Sequence, residues 1–197
     1  MFEAIHGSAQ RMVEEGKVFG DYRHIHGIAE KLSQYKGPIF GICFGAQLLA
    51  LVMGGRLGKL EKPEAGYLRH QLTSEGRKDP VFGHLPDTFY GAHLHSDFVD
   101  ELPLRGVILA TRNGYIHAFR ILTDDGTVRY GVQPHPEMST PEDATFLVRV
   151  NDWLRGEIGA DAYEEALIVR DDADFRLAMT ITRFVENLLR FKQQPIG

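Results

Sequence analysis

Cysteine is almost absent from this chain, long apolar runs are absent altogether, and basic residues are no majority. One cysteine cannot build an intrachain disulfide framework or a multi-cysteine metal site, and it suits a reducing, cytoplasmic setting. The formal charge of −5 gives no general attraction to nucleic acid or to an anionic membrane. The opening segment MFEAIHGSAQRMVEEG has no basic stretch leading into a long apolar one, so it does not read as a signal peptide. The longest apolar-rich stretch, residues 38–55, is interrupted by four glycines and Gln47, and reads as a strand plus a helix, not a membrane span. Low-complexity segments and internal repeats are also missing. What is present is ordinary for a soluble domain: 197 residues, 43% hydrophobic and 25% charged, enough for one sizeable core.

Periodicity organises the chain. Phe2, Ala4 and Ile5 lead into His6-Gly7-Ser8 as a strand tail entering a turn. Ile25, Ile28, Ala29 and Leu32 recur at helical spacing, giving a helix over about residues 24–35 that Gly37-Pro38 ends. Ile39–Ile42 is then a short buried strand, and Phe44–Met53 a helix apolar nearly all round, stopped by Gly54-Gly55. Strand-like runs follow at Arg56–Leu60, Tyr67–Thr73, Thr88–Leu94, Gly106–Thr111, Tyr115–Ile121 and Thr127–Gln133, the last two as a hairpin. Pro141 opens a helix to about Leu154, and Leu177, Ile181, Phe184, Val185 and Leu188 form a helical stripe near the end. The expected division is a core over residues 1–155 and a helical extension over 156–197 packing on it. The early α/β alternation implies a parallel sheet with helices on both faces, and the β-rich middle adds antiparallel strands.

The lone thiol is the centre of the chemistry. In Gly41-Ile42-Cys43-Phe44-Gly45-Ala46-Gln47 it stands between a strand end and a helix start. Small neighbours let the backbone turn sharply and let substrate approach. The helix N-terminus favours a thiolate, and the Phe44 N–H would face a developing oxyanion. A buried core cysteine is the plain alternative, and the glycines and Gln47 weigh against it. Downstream, Tyr130-Gly131-Val132-Gln133-Pro134-His135-Pro136-Glu137 supplies a base. His135 can deprotonate Cys43 and later protonate a leaving group, and Glu137 can orient the imidazole. Alternation puts residues 135 and 137 on one side of an extended chain, and the prolines favour that conformation.

Together the two phrases resemble the class I glutamine amidotransferase family, with its G-x-C-x-G-x-Q turn and late G-x-Q-x-H-P-E phrase. The resemblance implies a flavodoxin-like, doubly wound α/β fold with a mostly parallel sheet. It also implies a catalytic triad of Cys43, His135 and Glu137. Pro134 departs from the family's usual phenylalanine. Ile5-His6-Gly7-Ser8-Ala9 is similar to the loop that supplies a second oxyanion N–H, here at Gly7 or Ser8. Glu64-Ala65-Gly66-Tyr67 resembles an E-x-G phrase. His95-Ser96-Asp97-Phe98-Val99 resembles an H-G-D-x-V segment near bound glutamine, so that His95 either contacts substrate or steadies its loop. Gln47 matches a glutamine that helps bind substrate. The glycine loop arrives at Gly7, earlier than the family's first βαβ unit would allow, so that unit is expected to be lacking, with another segment or self-association to compensate.

The implied activity is hydrolysis of the glutamine side-chain amide through a cysteinyl thioester, giving glutamate and ammonia. No metal or organic cofactor is required. The ammonia acceptor is expected on a partner synthase, with no nucleic acid or membrane partner. Hydrolysis of a γ-glutamyl peptide bond by the same triad, and a non-catalytic binding role on this fold, are the competing readings.

Overall fold

Residues 22–138, 141–149, 151, 153–168 and 175–192 are described by a computed structural model of the chain. The expectations placed on residues 1–21, including the strand tail, Gly7, Ser8 and the missing βαβ unit, lie outside them. The elements run α1 (Tyr22–Gln34), β1 (Ile39–Ile42), α2 (Phe44–Val52), β2 (Arg56–Leu72), α3 (Ser74–Lys78), β3 (Thr88–Glu101), β4 (Gly106–Arg112), β5 (Tyr115–Leu122) and β6 (Val128–Val132). After these come α4 (Pro141–Arg149), α5 (Leu154–Ile158), α6 (Ala160–Ala166), a 3-10 turn (Phe175–Ala178) and α7 (Met179–Lys192).

The six strands are ordered β1-β6-β5-β3-β2-β4, and β4 also pairs with β5. Strands β5, β3, β2 and β4 therefore close into a ring, a barrel-like end on an α/β sheet. Among the described residues only β1 and β6 pair in parallel, and the other pairings of the sheet are antiparallel. The reason is local: parallel neighbours need a long crossover, and the later strands are joined by tight turns. Asn113 and Gly114 both take positive φ, 50° and 84°, as a two-residue type I′ hairpin turn requires. Strand β2 also joins two separately expected runs into one 17-residue strand, accommodated by a register shift between Lys59 and Glu64. Strand β3 likewise takes in the His95–Val99 segment.

Both faces of the sheet are covered. On one side α2 packs Ala46, Leu49 and Ala50 against Val99, Ile116, Phe119 and Ile121. On the other, Tyr130 and Val132 of β6 join Phe82, Phe89, Leu109 and Leu177, with Phe40, Ile42 and Phe184 at the margin. The alternation of β1, Ile39 to the first cluster and Phe40 and Ile42 to the second, follows from the two-residue period of a strand. The later helices bear on this body at two places. Phe184 of α7 lies 5.2 Å from the Phe40 ring and edge-on to Tyr130 at 5.8 Å. Ala166 of α6 comes so near Gly66 that a Cβ there would meet its Cα at 2.8 Å. No helix of the described residues is long and apolar enough to cross a membrane.

If α7 unfolds together with the core, Phe184→Ala will lower the urea unfolding free energy by about 1–3 kcal/mol with an unchanged slope. Val185→Ala, at a position 47% exposed, will change it by less than about 0.5 kcal/mol.

Candidate active site

The parallel pairing of β1 with β6 builds the site. Phe40, Gly41 and Ile42 stand opposite Tyr130, Gly131 and Val132, and the Cys43 N–H donates to the Val132 carbonyl at 2.8 Å, carrying the ladder one residue further. There the chain turns into α2. Cys43 adopts φ 49° and ψ −112°, a conformation that costs a non-glycine residue about 1–3 kcal/mol and is held by its surroundings. Its carbonyl accepts from the N–H groups of Ala46 and Gln47, so the nucleophile candidate is also the residue that caps α2. The N–H groups of Phe44 and Gly45, in the first turn, have no intrahelical acceptor.

The two flanking glycines serve different ends. A Cβ on Gly41 would lie 2.7 Å from the Gly45 carbonyl oxygen and 2.9 Å from the Ala46 nitrogen, both backbone atoms. Gly41 is therefore demanded by the turn itself. A Cβ on Gly45 would meet nothing within 4 Å. Gly45 is therefore not demanded by packing against its neighbours.

His135 leaves the end of β6 held by its own N–H, which donates to the Ala92 carbonyl of β3 at 2.9 Å. Its Nδ1 is 2.7 Å from Glu137 Oε1. Nε2 is buried without a hydrogen-bond partner among the described residues, and Cys43 lies near enough to act on the charge of the ring. Burial by itself would lower the His135 pKa, but the adjacent Cys43 and Glu137 outweigh it and raise it to about 10. Burial likewise acts to raise the Glu137 pKa, and the hydrogen bond and charge of His135 bring it below the usual carboxylate range. The structure thus brings Cys43, His135 and Glu137 together.

Two amide side chains complete the surroundings. Gln133 Nε2 donates to Cys43 Sγ at 3.5 Å, and its Oε1 accepts from Gln47 Nε2 at 3.0 Å. Gln47 Nε2 also donates to the Asp97 carbonyl at 2.6 Å. Gln47 is 1% exposed, so it is no solvated helix residue; it is a strut between β3 and Gln133, with both amide hydrogens committed. Gln133 is missing from the residues singled out in the sequence. The signal was available, because it lies two residues before His135 in an extended phrase and so on the same side. His95 is placed differently from a substrate ligand: its Nδ1 faces the Asp97 carbonyl at 3.0 Å, and its Nε2 lies 2.9 Å from His93 and 3.2 Å from Glu64. Pro134 abuts Gly91, where a Cβ would lie 2.6 Å from its ring.

Raising the His135 pKa in the folded protein means that this contribution to stability is complete below about pH 6.5 and is lost as pH rises through about 10. The imidazole resonances of His135 will accordingly titrate near 10, and the midpoint will fall in Glu137→Gln and further in Cys43→Ala; an unmoved midpoint in both variants would contradict the geometry. Gly41→Ala will destabilise the protein measurably, whereas Gly45→Ala will leave the unfolding midpoint within about 0.5 kcal/mol of the parent.

Comparison with known proteins identifies the family. Residues 18–151 match the profile of the family described as glutamine amidotransferase class-I. One subunit of the glutamine-hydrolyzing GMP synthase of Pyrococcus abyssi is 32% identical over 131 residues, covering 66% of this chain and 67% of that protein. Its counterpart in Natronomonas pharaonis is 37% identical over 106 residues, and the match covers 53% of this chain and 55% of that protein. A gamma-glutamyl-L-1-hydroxyisopropylamide hydrolase from Pseudomonas is 33% identical over 135 residues, 65% of this chain and 44% of that protein. The crystal structure of a glutamine amidotransferase from Thermotoga maritima shares the fold, with a TM-score of 0.60 at 20% identity over 87% of this chain and 70% of that one. The chain belongs to the class I glutamine amidotransferase family.

Proposed function

We propose that the protein hydrolyses the side-chain amide of glutamine through a thioester on Cys43. The observation that carries this reading is the juxtaposition of Cys43, His135 and Glu137, with Cys43 at a strained turn and the imidazole held at 2.7 Å by a carboxylate. The Cys43 sulfur adds to the amide carbon, and the carbonyl oxygen takes the negative charge in front of the Phe44 N–H. A second N–H from Gly7 or Ser8 is proposed to share that charge. His135 gives its Nε2 proton to the leaving nitrogen, the C–N bond breaks and ammonia departs. Water then attacks the γ-glutamyl thioester as His135 takes its proton. The collapse releases glutamate and restores the thiol. Gln133 and Gln47 position the sulfur and need not touch glutamine.

The family and the names of its relatives support an ammonia-supplying role. The similar protein of Pyrococcus abyssi is named as one part of a GMP synthase made of more than one chain. By analogy the ammonia acceptor is proposed to sit on a separate synthase chain. A second reading has its own support in the Pseudomonas relative, which is named for hydrolysis of a γ-glutamyl amide. In that case the same thioester forms and an amine leaves in place of ammonia.

The protein incubated with glutamine will release glutamate and ammonia in equal amounts, and Cys43→Ser will release neither. His135→Ala will lose at least about 100-fold in kcat/KM, and Glu137→Gln less. Release of amine from γ-glutamyl amides with no turnover of glutamine would establish the second reading. A folded protein that turns over neither substrate, with or without a synthase partner, would sink both.

A further inference from the structure

Three strands of the ring, β2, β3 and β5, carry a second group of chemically active side chains, none of which the thiol chemistry uses. Glu64 comes from β2, His93 and His95 from β3, and His117 from β5. One donor atom from each lies within 4.8 Å of the other three. Local structure explains the meeting: His93 and His95 share a face of β3 by strand alternation, and the β2–β3 register sets Glu64 opposite His95. The three histidines are no more than 8% exposed.

The separations suit a metal ion. His95 Nε2 is 2.9 Å from His93 Nδ1 and 3.2 Å from Glu64 Oε2, and His117 Nε2 is 3.5 Å from that same oxygen. Four donors around a tetrahedral ion with bonds of about 2.1 Å stand about 3.4 Å apart. The outward atoms of Glu64, His95 and His93 are engaged as ligand supports usually are, whereas Nδ1 of His117 has no partner among the described residues. Arg112 Nε donates to Glu64 Oε1 at 2.9 Å, leaving Oε2 to face inward. His95 Nδ1 donates to the Asp97 carbonyl, so its Nε2 presents a lone pair. His93 Nε2 meets His70 Nε2 at 2.8 Å.

An independent observation is what the group leaves undone. Glu64 Oε2 and both ring nitrogens of His117 are buried without a well-directed hydrogen bond to any described residue. A purely structural polar cluster would carry that as an uncompensated desolvation cost for each unsatisfied group.

We propose that Glu64, His93, His95 and His117 bind one divalent first-row transition ion. Three imidazole nitrogens and one carboxylate oxygen suit zinc and its neighbours, and do not suit the all-oxygen preferences of calcium or magnesium. A cleft of about 690 Å³, walled in part by Glu64, Arg112, Tyr67 and Tyr90, reaches the group at Glu64. The ion's role is to pin three strands whose backbones hold the thiol's surroundings: the His117 carbonyl accepts from the Gln133 N–H at 2.8 Å, and the Ala92 carbonyl, one residue before His93, accepts from His135. This site stands independently of the thiol reaction, which needs no metal.

The test uses the full, tag-free chain, stripped with chelator and then reconstituted with zinc or cobalt. One zinc per chain will be retained through gel filtration, and zinc will raise the thermal midpoint of the stripped protein. Cobalt will give visible ligand-field bands without sulfur-to-metal charge transfer, and Cys43→Ser will leave them unchanged. His117→Ala and Glu64→Gln will each weaken zinc binding by on the order of 100-fold or more. Failure of the wild-type chain to retain zinc, binding indifferent to both substitutions, or binding lost in Cys43→Ser would overturn the proposal, the last by moving the ion to the thiol. Should His117→Ala and Glu64→Gln fail to fold, stoichiometry and the cobalt spectra of the parent and Cys43→Ser decide it. Loss of the metal site would leave the glutaminase reading standing, because Cys43→Ser separates the two.

Discussion

The parallel ladder between β1 and β6 is the constraint on which the site depends. It registers Ile39 through Ile42 against Arg129 through Val132, and the Cys43 N–H extends it with one more bond to the Val132 carbonyl. Because both strands run the same way and end level, the chain leaves them side by side, once into the turn of Cys43 and once into Gln133–Glu137. A slip of one residue would turn Phe40, Ile42, Tyr130 and Val132 away from the core they share, so burial fixes the register that sets thiol beside imidazole. The strain at Cys43 is small beside that combined packing, which is how an unfavourable backbone persists at the position where exposure of the sulfur is useful.

A second junction lies at the Asp97 carbonyl. It accepts from Gln47 Nε2 on one side and from His95 Nδ1 on the other. Through Gln47 it reaches Gln133 and the sulfur of Cys43. Through His95 it reaches the histidine group on the strand ring. One backbone oxygen of β3 therefore ties the region of the proposed nucleophile to the proposed metal site. The family's H-G-D-x-V segment resembles this stretch, and here its histidine faces inward as part of a buried network.

Much of this was legible in the residues. The spacing of Ile25, Ile28, Ala29 and Leu32 marks α1, the apolar run after Cys43 marks α2, and the Asn113-Gly114 pair marks the β4–β5 turn. The meeting of Cys43 with His135 was legible through the family resemblance, since no local pattern links residues so far apart. The early α/β alternation suggested a mostly parallel sheet. Short turns between β4 and β5 and between β5 and β6 made antiparallel neighbours the accessible ones there. The short helix α3 escaped notice because its signal is only a cap, with the Thr73 hydroxyl accepting from the Gly76 N–H. The histidine group was hidden for a related reason. His93 and His95 show the two-residue spacing of ligands on one strand, but Glu64 and His117 join them only through cross-strand register, which periodicity does not encode.

The central claim is that Cys43 is a nucleophile shaped for a γ-glutamyl carbonyl. It is tested most directly by a glutamine analogue carrying an electrophilic carbon in place of the side-chain amide, followed by peptide mass spectrometry. The expected result is one adduct per chain, on Cys43, slowed by excess glutamine and by His135→Ala. A folded protein that takes no label, or takes it at the same rate with glutamine in excess, would contradict the claim.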